Sequence, residues 1–233
     1  MKLRSSILLF TSALLLSSCS ICIGQCKPET PDEEDPEGQD DTFPEEEKKY
    51  LVDQSVMSKF YSLDLFMENK FEALLNVTTV SQRDNSTETT TTSETKRNLF
   101  DYEKWEIISD TQHSFYVRHE EEKARCYSYY TDEWHYIGDY NFYWKNDLKR
   151  SRTLYLALDY YQLEYSIELH AYTYKNLNRL VDADNIKIQF ENNIWKYLEF
   201  DWDEHYNYTY YRHHVRVDIS RWGEVSLTEP TVE

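Results

Sequence analysis

Glycine is nearly absent from this chain. It occurs only at Gly24, Gly38, Gly138 and Gly223 in 233 residues, too scattered for a glycine-rich loop that cradles phosphate. Cysteine is scarce and badly placed for bridging: Cys19, Cys22 and Cys26 crowd together near the N-terminus and Cys126 stands alone. A small secreted scaffold stapled by disulfides is thereby excluded. Basic residues are outnumbered, 25 Lys and Arg against 43 Asp and Glu, so the phosphate backbone of nucleic acid would be repelled. No apolar run spans a bilayer, the run from Ile7 to Leu16 being too short. Enzyme signatures are missing too: there is no Gly-x-Ser-x-Gly elbow and no His-Glu-x-x-His helix. Nothing around Cys126 specifies a partner base, so it reads as a strand cysteine among Tyr127, Tyr129 and Tyr130. No catalytic residue, metal or cofactor is assigned.

What is present begins with an address. Lys2 and Arg4 precede the apolar run, which closes in Leu16-Ser17-Ser18-Cys19. These residues resemble the bacterial lipoprotein signal. The resemblance implies that residues 1–18 are removed and that Cys19 becomes an N-terminus carrying palmitate-type acyl groups. The protein is then exported and anchored to membrane lipid on the extracytoplasmic side without spanning it. The alternative is an ordinary secretory signal cut near a cysteine. Residues 19–47 follow as a tether. Lys27 to Glu47 holds four of the five prolines and almost no apolar side chain, so it cannot offset the entropy of ordering itself. Such a tether holds the body roughly 25–30 Å from the lipid.

Residues 48–233 read as one β-rich domain. Twenty-one Tyr, ten Phe and six Trp favour pleated surfaces. Leu51, Val56, Phe60 and Leu63 predict a first helix over Glu47 to Met67. Strands are expected over Phe71–Val80, a Thr-rich segment after a turn near Asp84-Asn85, Tyr102–Ile108, Ser114–Arg118 and Ala124–Tyr130. A short strand or turn is expected at Trp134–Ile137. Leu148, Leu154, Leu158 and Tyr161 predict a mid-chain helix over Asp147–Tyr161, with a strand over Thr153–Leu158 as the alternative. The strongest alternation, Leu163, Tyr165, Ile167, Leu169 and Ala171, predicts one continuous strand. Ile186 to Phe190 and Ile194 to Trp202 read as a hairpin through Glu191-Asn192-Asn193, and Tyr208 to Ser220 as the last arm. The fold class expected is α+β, a curved antiparallel sheet with an N-terminal and a mid-chain helix.

That element order, the segment Asn185-Ile-Lys-Ile-Gln-Phe-Glu-Asn-Asn-Ile-Trp and the ending VRVDISRWGEVSLTEP resemble the LolA/LppX-like half-barrel lipoproteins. Asn193 stands where the family has a turn glycine, a mild departure because Asn tolerates the left-handed conformation. The resemblance implies an incomplete barrel around helices, with a concave apolar face that receives lipid tails in some members. The residues expected on that face are Tyr165, Ile167, Leu169, Ile188, Phe190, Val215 and Val217. The function expected is non-catalytic binding of a lipid or other hydrophobic ligand. The alternative is an adhesin-like module with a filled core that contacts protein or glycan through the exposed Thr-rich hairpin. Asp201, Asp203, Glu204, His205, His213 and His214 form the best metal-ligand cluster, set against a solvated hairpin end.

Overall fold

A computed structural model describes residues 43–120, 123–141, 154, 162–174 and 183–232, all within one unit, Asp41–Glu233. The signal, most of the tether and the predicted Asp147–Tyr161 helix, apart from Leu154, lie outside the described residues.

Three short helices lead into the sheet: α1 (Glu45–Lys48), α2 (Gln54–Ser62) and α3 (Asp64–Glu68). The single helix predicted over Glu47–Met67 is thus broken twice. Leu63 takes φ 66°, a left-handed residue that ends α2 and turns the chain into α3, and its side chain is fully buried. Burial of Leu63, with Phe60 and Phe66 on either side, outweighs the cost of about 1–2 kcal/mol for a left-handed L-residue.

Eleven antiparallel strands follow. They are β1 (Lys70–Arg83), β2 (Thr89–Asp101), β3 (Lys104–Ile108), β4 (His113–Glu120), β5 (Lys123–Tyr130), β6 (Glu133–Asn141), β7 (Leu163–Ser166), β8 (Ala171–Tyr174), β9 (Ala183–Glu191), β10 (Ile194–Tyr206) and β11 (Thr209–Ser220). Their order is β6-β5-β4-β3-β2-β1-β11-β10-β9-β8-β7, two meanders joined where β1 pairs with β11. The sheet is open and curved, and the fold is mainly β rather than α+β.

Two further expectations are corrected. The alternation from Leu163 to Ala171 does not form one strand. The chain reverses at Ile167–His170, with His170 at φ 47°, and returns as β8. At the other edge, β6 runs nine residues rather than the short piece expected.

Alternation sorts the side chains between two cores. Phe71, Ala73 and Leu75 of β1, Phe100 of β2, Ile186, Ile188 and Phe190 of β9, Trp195, Leu198 and Phe200 of β10, and Val215, Val217 and Ile219 of β11 face the helices. Met57, Phe60, Leu65 and Phe66 pack onto them, and Leu154 joins the same core. The opposite face of β9–β11 is wet and crossed by ion pairs, Lys187 to Glu199 at 2.6 Å and Arg216 to Glu199 at 2.7 Å. Leu99, Phe115, Val117 and Tyr127 lie on that same outer side, on β2, β4 and β5. There the segment after β11 folds back as a strap, burying Val225 and Leu227. Asp101 accepts from the Leu227 backbone N–H at 2.8 Å, and Arg125 and Tyr127 hold Glu229 at 3.1 and 2.5 Å.

Candidate functional site

The concave face has two parts. Beneath the helices it is filled with rings: Phe66 lies 5.6 Å from Phe71, 5.4 Å from Phe100 and 5.4 Å from Trp195, and Phe60 lies 5.1 Å from Trp195. Of the residues expected to meet a ligand, Ile188, Phe190, Val215 and Val217 belong to this packed region and are fully buried. Two donors inside it, Asn98 Nδ2 and Trp195 Nε1, have no acceptor among the described residues. Buried donors are seldom left so, because each such N–H costs about 1–3 kcal/mol.

Tyr165 lies apart from those four, on β7. Its hydroxyl donates to Glu47 Oε2 at 2.5 Å, and His170 Nδ1 stands 3.0 Å from the same oxygen. The Tyr165 hydrogen bond, working against burial, holds the Glu47 carboxyl below its usual range, with His170 adding to the effect. Burial and the neighbouring Glu47 push the Tyr165 phenol up. The Tyr50 ring stacks on His170 at 4.7 Å, so this cluster fastens α1 to the β7–β8 turn. Ile167 and Leu169 sit in that turn, 50% and 41% exposed, and are not gathered with the other candidates.

The second part of the concave side lies over β4, β5 and β6 and is open. A cavity of about 440 Å³ is lined there by Ser114, Tyr116, Cys126, Tyr127, Ser128, Ile137, Tyr140 and Asn141. Register explains the lining: Tyr116 faces Cys126, Cys126 faces Gly138, and Ser114 faces Ser128 across adjacent strands. A bulge between Cys126 and Tyr127 leaves Ile137 as the extra residue on β6. Side chains shrink along the inner face from Trp105 and Tyr116 to Ser128 and Gly138, and small residues leave room. Burial pushes the Cys126 thiol up to about 11, so it is a neutral wall of the cavity rather than a nucleophile. Sequence reasoning missed this site. The only signal available was the pair of serines at alternating core positions of otherwise aromatic strands.

Neither a family model nor a curated protein matches the chain.

The His and carboxylate cluster is dispersed by the pleat. His213 points to the concave side, where Thr79 Oγ1 lies 2.8 Å from its Nδ1 and the Trp202 ring stacks on it at 3.9 Å. His214 and His205 project to the other side, 2.7 Å from Asp201 and 2.9 Å from Asp84. Asp203 and His205 do share a face, but across the hairpin they meet Arg212 and Tyr210 rather than histidines. Among the described residues no group of three His, Cys, Asp or Glu side chains converges as a metal site. Nor is any helix among them long and apolar enough to cross a membrane.

Proposed function

We propose that this chain is a bacterial surface lipoprotein, anchored through Cys19, whose domain takes up a lipid or other hydrophobic ligand on the concave side of its sheet without covalent chemistry. The observation that carries the reading is the cavity over β4–β6. Its volume of about 440 Å³ falls within the range of roughly 300–1,000 Å³ typical of small-molecule sites. Its walls combine the apolar bodies of Tyr116, Ile137 and Tyr140 with the polar atoms of Ser114, Ser128 and Asn141. Such a lining suits an amphipathic molecule with a long apolar part and a single polar end. The open antiparallel sheet curved around helices supports the resemblance to LolA/LppX-like half-barrels.

The ligand surface is therefore moved from the residues first named to the neighbouring cavity. A titration of the mature chain with an apolar fluorescent probe tests it. Saturable enhancement that Ser128→Trp abolishes, with folding intact, is expected. Enhancement that is absent, or indifferent to Ser128→Trp, overturns the reading. A second reading, a surface interaction module, draws on the ring-filled interior beneath the helices and on the exposed, polar outer halves of β1 and β2.

A further inference from the structure

Beyond Val77 and Val215 the four central strands continue as a ribbon with almost no core. β1 runs on to Arg83, β2 starts at Thr89, β10 reaches Tyr206 and β11 starts at Thr209, all paired in unbroken register. Six residues of strand project about 20 Å. Thr89 to Thr95 are all exposed. An extension that buries so little apolar surface adds little stability, yet it holds two hairpin tips side by side.

The tips are built rigidly. The Asp84 N–H donates to the Tyr208 carbonyl at 2.8 Å, His205 Nε2 lies 2.9 Å from Asp84 Oδ1, and Gln82 Nε2 donates to the Ser86 carbonyl at 2.6 Å. Tyr206, Tyr208 and Tyr210 surround this end at 65%, 76% and 41% exposure. Asn207 and Tyr208 make the reversal at φ 48° and 59°. Glycine is the residue suited to the second of these positions, so tyrosine there is costly to the fold. The Tyr208 ring stands at this strained position without burying itself in the fold.

The tip also lies at a defined end of the domain. The turn at the start of β10 is held against the N-terminal segment, where the Asn192 N–H donates to the Lys49 carbonyl at 2.6 Å and Asn193 Nδ2 to Asp53 at 2.6 Å. The tip is at the other end of β10, about 40 Å away by strand rise. The tip is therefore at the end of the domain remote from the N-terminal segment.

We infer that the paired hairpin tips, residues 82–88 and 204–210, dock into a concave, basic-rimmed surface on another protein. The tip is a convex knob, because Tyr206 and Tyr210 lie on opposite faces of β10–β11 and Tyr208 caps the end. Its mixture of Tyr with Ser, Asn and Thr gives rigid amphipathic contact at small entropic cost beside adaptable hydrogen bonding, the chemistry of loops that insert into protein clefts. Asp84, Glu88, Asp203 and Glu204 outnumber Arg83 and Arg212, and the whole chain carries −18, so a basic rim is favoured over an acidic one. Display of the tip at the cell surface rests on the Cys19 anchor proposed above; the docking chemistry does not depend on the cavity.

The full chain carrying a benzophenone side chain at position 208, irradiated on the cells that make it, tests the inference. The expected result is one discrete protein adduct, reduced at least about five-fold by Tyr206→Ser and several-fold by raised salt. The same group at Tyr102, an exposed ring on the β2–β3 turn that also sits in the left-handed region, should give no such adduct. Adducts equal at both positions, none at 208, or an adduct with carbohydrate or lipid would overturn the proposal. Ser128→Trp should leave the adduct unchanged, so a failed cavity and a failed tip give different results. Thermal melting of Tyr206→Ser confirms that any loss is not unfolding.

Discussion

Phe66→Ala probes whether the helices plug the concave face. Phe66 is 1% exposed on a five-residue helix that has little stability of its own, so its ring is the main link between α3 and the sheet. Phe-to-Ala in a core costs about 3–5 kcal/mol, and the ring contacts to Phe71, Phe100 and Trp195 put this site at the upper end. Against a total stability of about 5–15 kcal/mol that is a third or more of the margin. A domain of this size loses about 2–4 °C per kcal/mol, so Tm should fall by about 6–20 °C. Urea unfolding followed by tryptophan fluorescence and by circular dichroism gives the free energy directly, and the two curves should coincide. Phe66→Leu should recover most of the loss, because a branched apolar side chain refills the space. A loss below about 1 kcal/mol for the alanine variant would refute the packing argument, since that figure fits a surface substitution.

Three other outcomes follow from local chemistry. Tyr208→Gly should stabilise the domain by about 1 kcal/mol, because it relieves a left-handed L-residue at an exposed turn, and an unchanged or lowered urea midpoint would contradict that. Cys126, with its thiol pushed up to about 11, should resist Ellman's reagent near neutral pH in the folded chain and react promptly once denatured; equal rates would place it outside the sheet. Glu47 has a folded pKa below its ordinary value of 4.5, so the stability it contributes is present above that value and is lost as pH falls through the lowered one. The difference in Tm between wild type and Glu47→Gln should therefore shrink to nothing in acid, and a difference that persists there would sink the Glu47–Tyr165–His170 latch.

The strands with one wet face were legible in the sequence, and most of the strand order along the chain with them. Ile186, Ile188 and Phe190, and later Val215, Val217 and Ile219, alternate cleanly, and Asn192 and Asn193 at φ 51° and 63° turn the chain where polar residues announced it. What escaped were the reversals at Leu63 and His170, each inside a stretch read as one continuous element. With so little glycine, the chain uses Leu63, Tyr102, Thr131, His170 and Tyr208 in the left-handed region, where composition gives no cue. The stretch Ile167-Glu168-Leu169-His170 keeps the apolar–polar alternation of a strand while forming a turn, so periodicity alone pointed the wrong way. The candidate site failed in a related manner. Alternation identified Ile188, Phe190, Val215 and Val217 as inward-facing, but it carries no information on whether a helix lands on them. The space over Ser114 and Ser128 follows from side-chain size across three strands, which is visible only once the register is known.

The most direct test of a ligand-holding concave face is mass spectrometry of what the affinity-purified mature chain carries after detergent-free isolation. The proposal expects a hydrophobic molecule at near one equivalent on the wild type and none on the Ser128→Trp variant, both equally folded. Equal amounts on the two proteins, or nothing beyond background on either, would contradict it.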